Sequence, residues 1–264
     1  MAHSRYARLF WLQLRTSLIG GMQYRWEFLL EGAMALFWTA MALLPVWVLV
    51  GTRHTLAGWS YPELVIVVGW FTVLKALLDG AVNPSLVAVV EHIRQGTLDF
   101  ILLKPADAQF LISTAKFDPW KMVNLPAGIA LLTYGFHLLG RAPTLHQISL
   151  ALLCLVAAAL VLYSFWILVV CAAFWVVRLD NLAYLFMSIF DFARWPVTVF
   201  RGPLRLLFTF LIPLALMTTY PALALLGRLD LSRLAVVFAG ALAFAAASRL
   251  VWLRSIGKYT SASS

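Results

Sequence analysis

The chain is expected to fold as an all-α integral membrane protein in which about six helices cross the bilayer. Two observations carry this expectation. Twenty Lys and Arg with eleven Asp and Glu make up only 12% of 264 residues. A soluble body of this size needs roughly a quarter of its residues charged to cover its surface. The apolar residues also come in unbroken runs, with twenty-one uncharged residues between Glu31 and Arg53 and thirty-one between His146 and Arg178. A helix of about 20 such residues spans the ~30 Å hydrocarbon core. Helices also satisfy every backbone donor and acceptor internally, which the bilayer demands.

The elements follow in order. Residues 1–27 mix Arg5, Arg8, Arg15 and Arg25 with Tyr6, Phe10, Trp11, Leu14 and Leu18. Tyr6 and Phe10 are one turn apart, as are Leu14 and Leu18, which predicts a helix lying in the headgroup plane. The arginines interrupt any apolar core and no small-residue cleavage site follows, so a cleaved signal peptide is not expected. The first crossing is expected over 28–50 and the second over 61–82, opened by Pro62 in its first turn and broken by Asn83-Pro84. A polar stretch at 91–118 separates it from crossings at 120–139 and 146–177. A further helix is expected at 182–195 and the last at 234–253. The chain reads as one transmembrane domain, 1–264.

Positive charge sets the orientation. With the N-terminus inside, Arg5, Arg8, Arg15, Arg25, Arg94, Lys104, Lys116, Lys121 and Arg178 all fall on the inner side. The first two outer loops hold only Arg53 and Arg141. Arg249, Arg254 and Lys258 place the C-terminus inside too, which requires an even number of crossings. Pro196, Pro203, Pro213 and Pro221 make the 196–227 run a poor lipid-facing span. It either dips in from the outer face and returns, or 206–227 crosses while 182–205 stays on the inner surface. The +9 net charge flanks the apolar runs, so anionic lipid headgroups rather than nucleic acid are the expected partner.

No catalytic, cofactor-binding or metal-binding signature is present. There is no H-E-x-x-H, no G-x-S-x-G and no G-x-x-x-x-G-K-[ST], so any ATP must be bound by another polypeptide. Cys154 and Cys171, about 25 Å apart along one helix, are expected to be packing residues. Within the apolar runs, Lys75 and Asp79 lie four apart and Asp191 and Arg194 three apart. Each pair shares a helix face, and charge at membrane depth marks either a structural ion pair or a transport pathway. The inner-loop string EHIRQGTLDFILLKP, from Glu91 to Pro105, is amphipathic, with Ile93, Leu98, Ile101 and Leu102 set against Glu91, Arg94, Asp99 and Lys104. Gly96 permits a sharp turn between two short helices, of a kind that docks in a groove on a partner protein.

Three strings, EHIRQGTLDFILLKPADAQF, FDPWK and FDFARWPVTVFRGPLRLLFTFLIPLALMTTYPA, give the chain a resemblance to the ABC-2 type permease family, over essentially its whole length. The resemblance implies an N-terminal interfacial elbow helix, a cytoplasmic coupling helix and outer re-entrant helices at 196–227. It places the ATPase contact on Glu91, Arg94, Gly96, Thr97, Leu98, Asp99, Ile101 and Leu102. It further implies a pair of ABC ATPase subunits carrying ATP and Mg, a second permease subunit, identical or related, and residence in the bacterial inner membrane with both termini cytoplasmic. The expected activity is export of a hydrophobic or amphipathic molecule, with no catalysis by this chain itself. An ion-coupled secondary transporter and a membrane-embedded enzyme are the alternatives.

Overall fold

The structure, a computed structural model, describes residues 2–21, 25–51, 55–172, 174 and 187–257. It is helical nearly throughout. α1 (Ala2–Gly21) and α2 (Arg25–Gly51) are followed by a tight hairpin of β1 (Thr55–Leu56) and β2 (Trp59–Ser60). Ala57 and Gly58 turn the hairpin with φ of 51° and 84°, the double left-handed geometry that matches the twist of a two-residue loop. α3 (Tyr61–Leu77) starts at once, its Glu63 carboxylate accepting the Ser60 backbone N–H at 2.9 Å.

Asn83-Pro84 does not end this helix. A π-helical turn, Leu78–Val82, leads directly into α4 (Asn83–Arg94), so one helix runs from Tyr61 to Arg94. Within this continuous helix Pro84 has no N–H for the carbonyl of Gly80 four residues earlier, so one ladder bond is missing there. The wider turn also frees the Gly80 carbonyl, which accepts the Asp118 N–H at 2.8 Å and ties the helix to the inner loop. That loop carries α5 (Asp99–Leu102) and α6 (Ala108–Ser113), then a 3₁₀ segment, Pro119–Val123, that leads into α7 (Asn124–Leu138). The 3₁₀ and α portions together extend about 32 Å, enough to reach across a bilayer.

α8 (Leu145–Ala172) covers the described part of the 146–177 run, and the remainder of that run lies outside the described residues apart from Phe174. Most of 182–195 lies outside them as well. Its end is a helical turn at 187–190 and a 3₁₀ turn, Asp191–Arg194. α9 (Pro203–Leu206) and α10 (Tyr220–Leu225) are each joined to a π turn, at Leu207–Leu211 and Ala215–Thr219, and the two arms meet at a 70° bend. α11 (Leu231–Ile256) closes the chain, longer than the 234–253 expected. Among the described residues, four helices are long and apolar enough to cross a membrane: Leu30–Val50, Tyr61–Arg94, Leu145–Ala172 and Ser232–Ile256.

α3 is the central element, buried on every side from Leu64 to Leu74. Such a helix has no lipid-facing stripe because α7, α8 and the bent pair enclose it. It meets α7 through glycine. A Cβ on Gly69 would stand 2.9 Å from the Leu132 nitrogen, and one on Gly128 would stand 2.9 Å from the Val73 nitrogen. The two backbones touch, which is how helices gain dispersion energy in a bilayer that offers no hydrophobic driving force. α8 and α11 pack in parallel, with Ala151, Cys154, Ala157 and Ala158 of α8 and Val237, Ala241 and Trp252 of α11 all buried. α2 lies at the rim and exposes Leu36, Trp38 and Trp47.

Two sets of contacts gather the loops into opposite ends. At one end, Trp59 donates its indole N–H to Thr198 Oγ1 at 2.9 Å, Arg228 pairs with Glu63, and Arg141 donates to the Leu226 carbonyl at 3.2 Å. Both flanks of the proline-rich run therefore meet the β-hairpin end of α3. At the other end α1 lies along the loop that carries α5 and α6. Tyr6 packs edge-on against Phe110, Phe10 against Phe117, and Ser17 Oγ accepts the Phe117 N–H at 3.0 Å.

The same end holds an ionic lock. Asp107 caps α6 by accepting the Phe110 N–H at 3.0 Å, and Arg249 of α11 grips its carboxylate at 2.6 and 3.2 Å. Arg249 also donates to Gln109, which in turn donates to the Tyr163 hydroxyl of α8 at 3.0 Å. The Arg249 hydrogen bonds hold the Asp107 carboxyl below the usual carboxylate range, helped by the Phe110 amide and opposed by partial burial. A depressed value means that the stabilisation is present above the ordinary pKa of about 3.9 and is lost as pH falls through the folded value. Arg249→Gln should therefore cost about 1 kcal/mol at pH 6, because both partners are more than a third exposed. In thermal melts the gap from the parent protein should close below about pH 4. A gap independent of pH would contradict the ionic reading.

Candidate functional site

Four charges expected as two separate helical pairs come together in one place. Lys75 of α3 does not pair with Asp79; its ammonium reaches Asp191 at 3.2 Å, and Arg194 reaches the same carboxylate oxygen at 3.2 Å. The correction has a geometric cause. The turn that begins at Asp191 packs against α3 at the level of Phe71, so the tertiary partner lies nearer to Lys75 than the next turn of its own helix does. Lys75 and Arg194 also sit 5.8 and 5.7 Å from the centre of the Phe71 ring, which adds a cation–π attraction to each.

Lys75, Asp79, Asp191 and Arg194 all line a cavity of about 610 Å³ between α2, α3, the start of α7 and the 187–194 segment. Lys75 stands about 21 Å and Asp79 about 27 Å along the helix from Tyr61. Tyr61 adjoins the hairpin and Arg94 ends the same helix about 50 Å away, so the cavity lies near the middle of that helix. Sequence reasoning missed several of its walls. In the sequence Glu31 is only the edge of an apolar run and Lys121 only one of the basic residues that set the orientation, while Trp38 carries no signal of its own. Asn83 was read only as a helix breaker. Among the described residues Asn83 Oδ1 is buried without a hydrogen-bond partner, and Asp79, one turn earlier, makes no ion pair.

A second cavity, about 820 Å³, is larger but nearly all apolar, formed by Trp70, Leu132, Phe136, Ile148 and Leu152 between α7 and α8. Thr133, His137 and Arg141 are its polar wall residues, fewer than the charged and amide groups that line the first cavity.

The Glu91–Leu102 segment is built as a turn between two helices. Glu91, exposed near the end of α4, pairs with Arg94 at 3.4 Å and accepts from the Gln95 amide at 2.6 Å. Gly96 takes φ +67°, a conformation open to glycine at little cost. Thr97 fastens the turn, its N–H on the His92 carbonyl at 2.9 Å and its hydroxyl beside His92 Nδ1 at 2.8 Å. Because the chain reverses at Gly96, α5 does not continue the phase of α4. Leu98 points inward and is fully buried with Leu86, Val89 and Ile112, while Ile101 and Leu102 pack partly against that core. Asp99 opens α5. The apolar side chains left facing out are Phe100 and Leu103, 69% and 80% exposed. Leu98, whose amphipathic spacing pointed to a partner, is thus buried within this chain.

Comparison with known proteins agrees with the architecture. A model of the family described as ABC-2 family transporter protein matches residues 36–263. No curated protein and no solved structure matches the chain. The matched span takes in α3, the Gly96 turn, every wall of the charged cavity except those from the start of α2, and the proline-rich bend. The chain belongs to the ABC-2 family of transporter proteins, as a multi-pass membrane component.

Proposed function

We propose that this chain is the permease subunit of an ATP-driven exporter of the bacterial inner membrane, moving an amphipathic molecule with ATP hydrolysed by separate ATPase subunits. The observation that carries the proposal is the anchored turn at Gly96. Its hydrogen bonds and the buried Leu98 fix the segment, and it offers Phe100 and Leu103 to a partner. An exposed aromatic on a rigid element is the usual anchor for a groove on another protein. The ATPases, holding ATP and Mg, dock there, and a second permease, identical or related, completes the pathway.

In this reading α1 is an interfacial elbow helix, and both termini are cytoplasmic. Six segments cross, and 196–227 enters from the outer face and returns. Support comes from the clustering of contacts: both flanks of 196–227 touch the hairpin end of α3, whereas α1 and Arg249 touch the inner loop. The π turns at membrane depth are compatible with burial in protein. The Met217 carbonyl accepts from the Trp70 indole at 3.1 Å, and Thr218 donates to the Ala193 carbonyl at 2.7 Å.

Phe100→Asp with Leu103→Asp tests the docking. Both positions are exposed, so insertion and melting should be unchanged, while affinity for the cognate ATPase falls more than about tenfold and stimulated hydrolysis is lost. Assembly and hydrolysis at parental levels would place the ATPase elsewhere. Transport that survives without any ATPase would favour an ion-coupled carrier.

A further inference from the structure

We infer that the charged cavity is a binding site for an amphipathic primary amine, its ammonium held by Asp79 and Asn83 and its apolar body lying against Met34, Trp38 and Met187. The inference rests on the permease reading for its role in transport, and on the cavity alone for its chemistry.

Three acids (Glu31, Asp79, Asp191) and three bases (Lys75, Lys121, Arg194) line the space, so formal charge selects neither sign. The selection comes from what is already satisfied. Lys75 and Arg194 share Asp191 and the Phe71 ring, and Arg194 Nε also donates to the Asp191 backbone carbonyl at 2.9 Å. An anionic group would have to displace Asp191 from both. Two acceptors in the wall remain unmet. Asn83 Oδ1 is buried with no donor, and Asp79, on the adjacent turn of the same helix, makes no ion pair among the described residues. Positions four apart on a helix face the same way and lie about 6 Å from each other. A protonated primary amine presents three N–H donors and meets both acceptors; a quaternary ammonium presents none.

The rest of the wall suits an apolar body. Met34 and Met187 are unbranched and adapt to irregular shapes, and Trp38 and Ala42 complete that side. At about 610 Å³ the space holds a headgroup and part of a chain. Lys121 is the resident competitor. It lines the same cavity, and its one ion pair among the described residues, to Asp118, is a long 3.7 Å.

The same ammonium chemistry is offered by an aminophospholipid headgroup and by a free amphiphile, and one experiment separates them. The full chain is reconstituted in nanodiscs and titrated with dansylcadaverine, read by fluorescence anisotropy. Its N-acetylated, trimethylated and carboxylate counterparts are titrated in parallel. The amine should bind at least about tenfold tighter than each counterpart, in line with a charge-assisted hydrogen-bonded contact at low dielectric. Asp79→Asn should erase that preference, and Lys121→Gln should strengthen it. At constant phosphatidylglycerol, exchanging phosphatidylcholine for phosphatidylethanolamine should weaken the probe if the lipid headgroup is the occupant and leave it unchanged if a free amphiphile is.

Equal binding of all four probes, tightest binding of the carboxylate, or a preference that survives Asp79→Asn overturns the inference. Should Asp79→Asn fail to fold by its melting curve, the Lys121→Gln arm decides, and no gain in amine affinity overturns it. Failure here with ATPase stimulation intact removes the amine site alone. Amine binding without any ATPase partnership removes the exporter reading alone.

Discussion

Gly128→Leu is expected to cut the yield of folded protein at least tenfold, with a loss of about 3 kcal/mol or more. At this position a Cβ alone would stand 2.9 Å from the Val73 nitrogen and 3.0 Å from the Gly69 carbonyl oxygen. Both obstacles are backbone, so no rotamer change relieves the clash and α3 and α7 must separate. Separation breaks the close contact that holds the central helix, and its effect reaches Gly69 and Gly135, which face the same seam. Size-exclusion profiles and melting of detergent-solubilised protein check this, with Gly20→Leu as control because nothing lies within 4 Å of a Cβ there. A Gly128→Leu protein that elutes and melts like its parent would mean that the helices are not in backbone contact.

The second large effect is expected at Asp191. Asp191→Asn leaves Lys75 and Arg194, each 3.2 Å from the lost charge, close together beside the Phe71 ring. Two cations without a counter-ion at membrane depth should cost about 2 kcal/mol, less than for a fully buried pair because all three side chains retain some exposure. Adding Lys75→Met should recover about half of that loss, since one cation then no longer needs compensation. The double-mutant cycle, read by thermal melts, therefore predicts a positive coupling. Additive losses would show that Asp191 does not bind the two cations jointly.

How far the residues disclosed this arrangement depends on the range of the forces involved. Apolar runs are local, and long apolar helices lie where they occur: Leu30–Val50, Tyr61–Arg94, Leu145–Ala172 and Ser232–Ile256. The break at Asn83-Pro84 was misread because proline marks a helix start as readily as a helix end. The π turn that joins the two halves leaves no composition signature. Leu98 was assigned to the partner face by amphipathic spacing, which holds only while a helix keeps its phase, and Gly96 resets it. The pairing of Lys75 with Asp191 was beyond sequence reasoning because the two are distant in the chain. Asp79 was the nearer partner by number and not by space. The glycine seam was legible in principle. Gly128 and Gly135 lie seven apart, on one helix face, but nothing local says which helix they meet.

The unbroken run from Tyr61 to Arg94 has a mechanical consequence. Its 34 residues make a rod of about 51 Å, roughly 20 Å longer than a hydrocarbon core of about 30 Å, and the Gly96 turn sits at one tip. The glycine contact with α7 is where the rod is held most closely, and it lies about 37 Å from Arg94. With that contact as fulcrum, a tilt of about 5° moves the tip by about 3 Å, the scale on which packed interfaces switch between arrangements. Force applied at Phe100 and Leu103 thus has a long arm, and the wall bearing Lys75 and Asp79 lies on that arm, between fulcrum and tip.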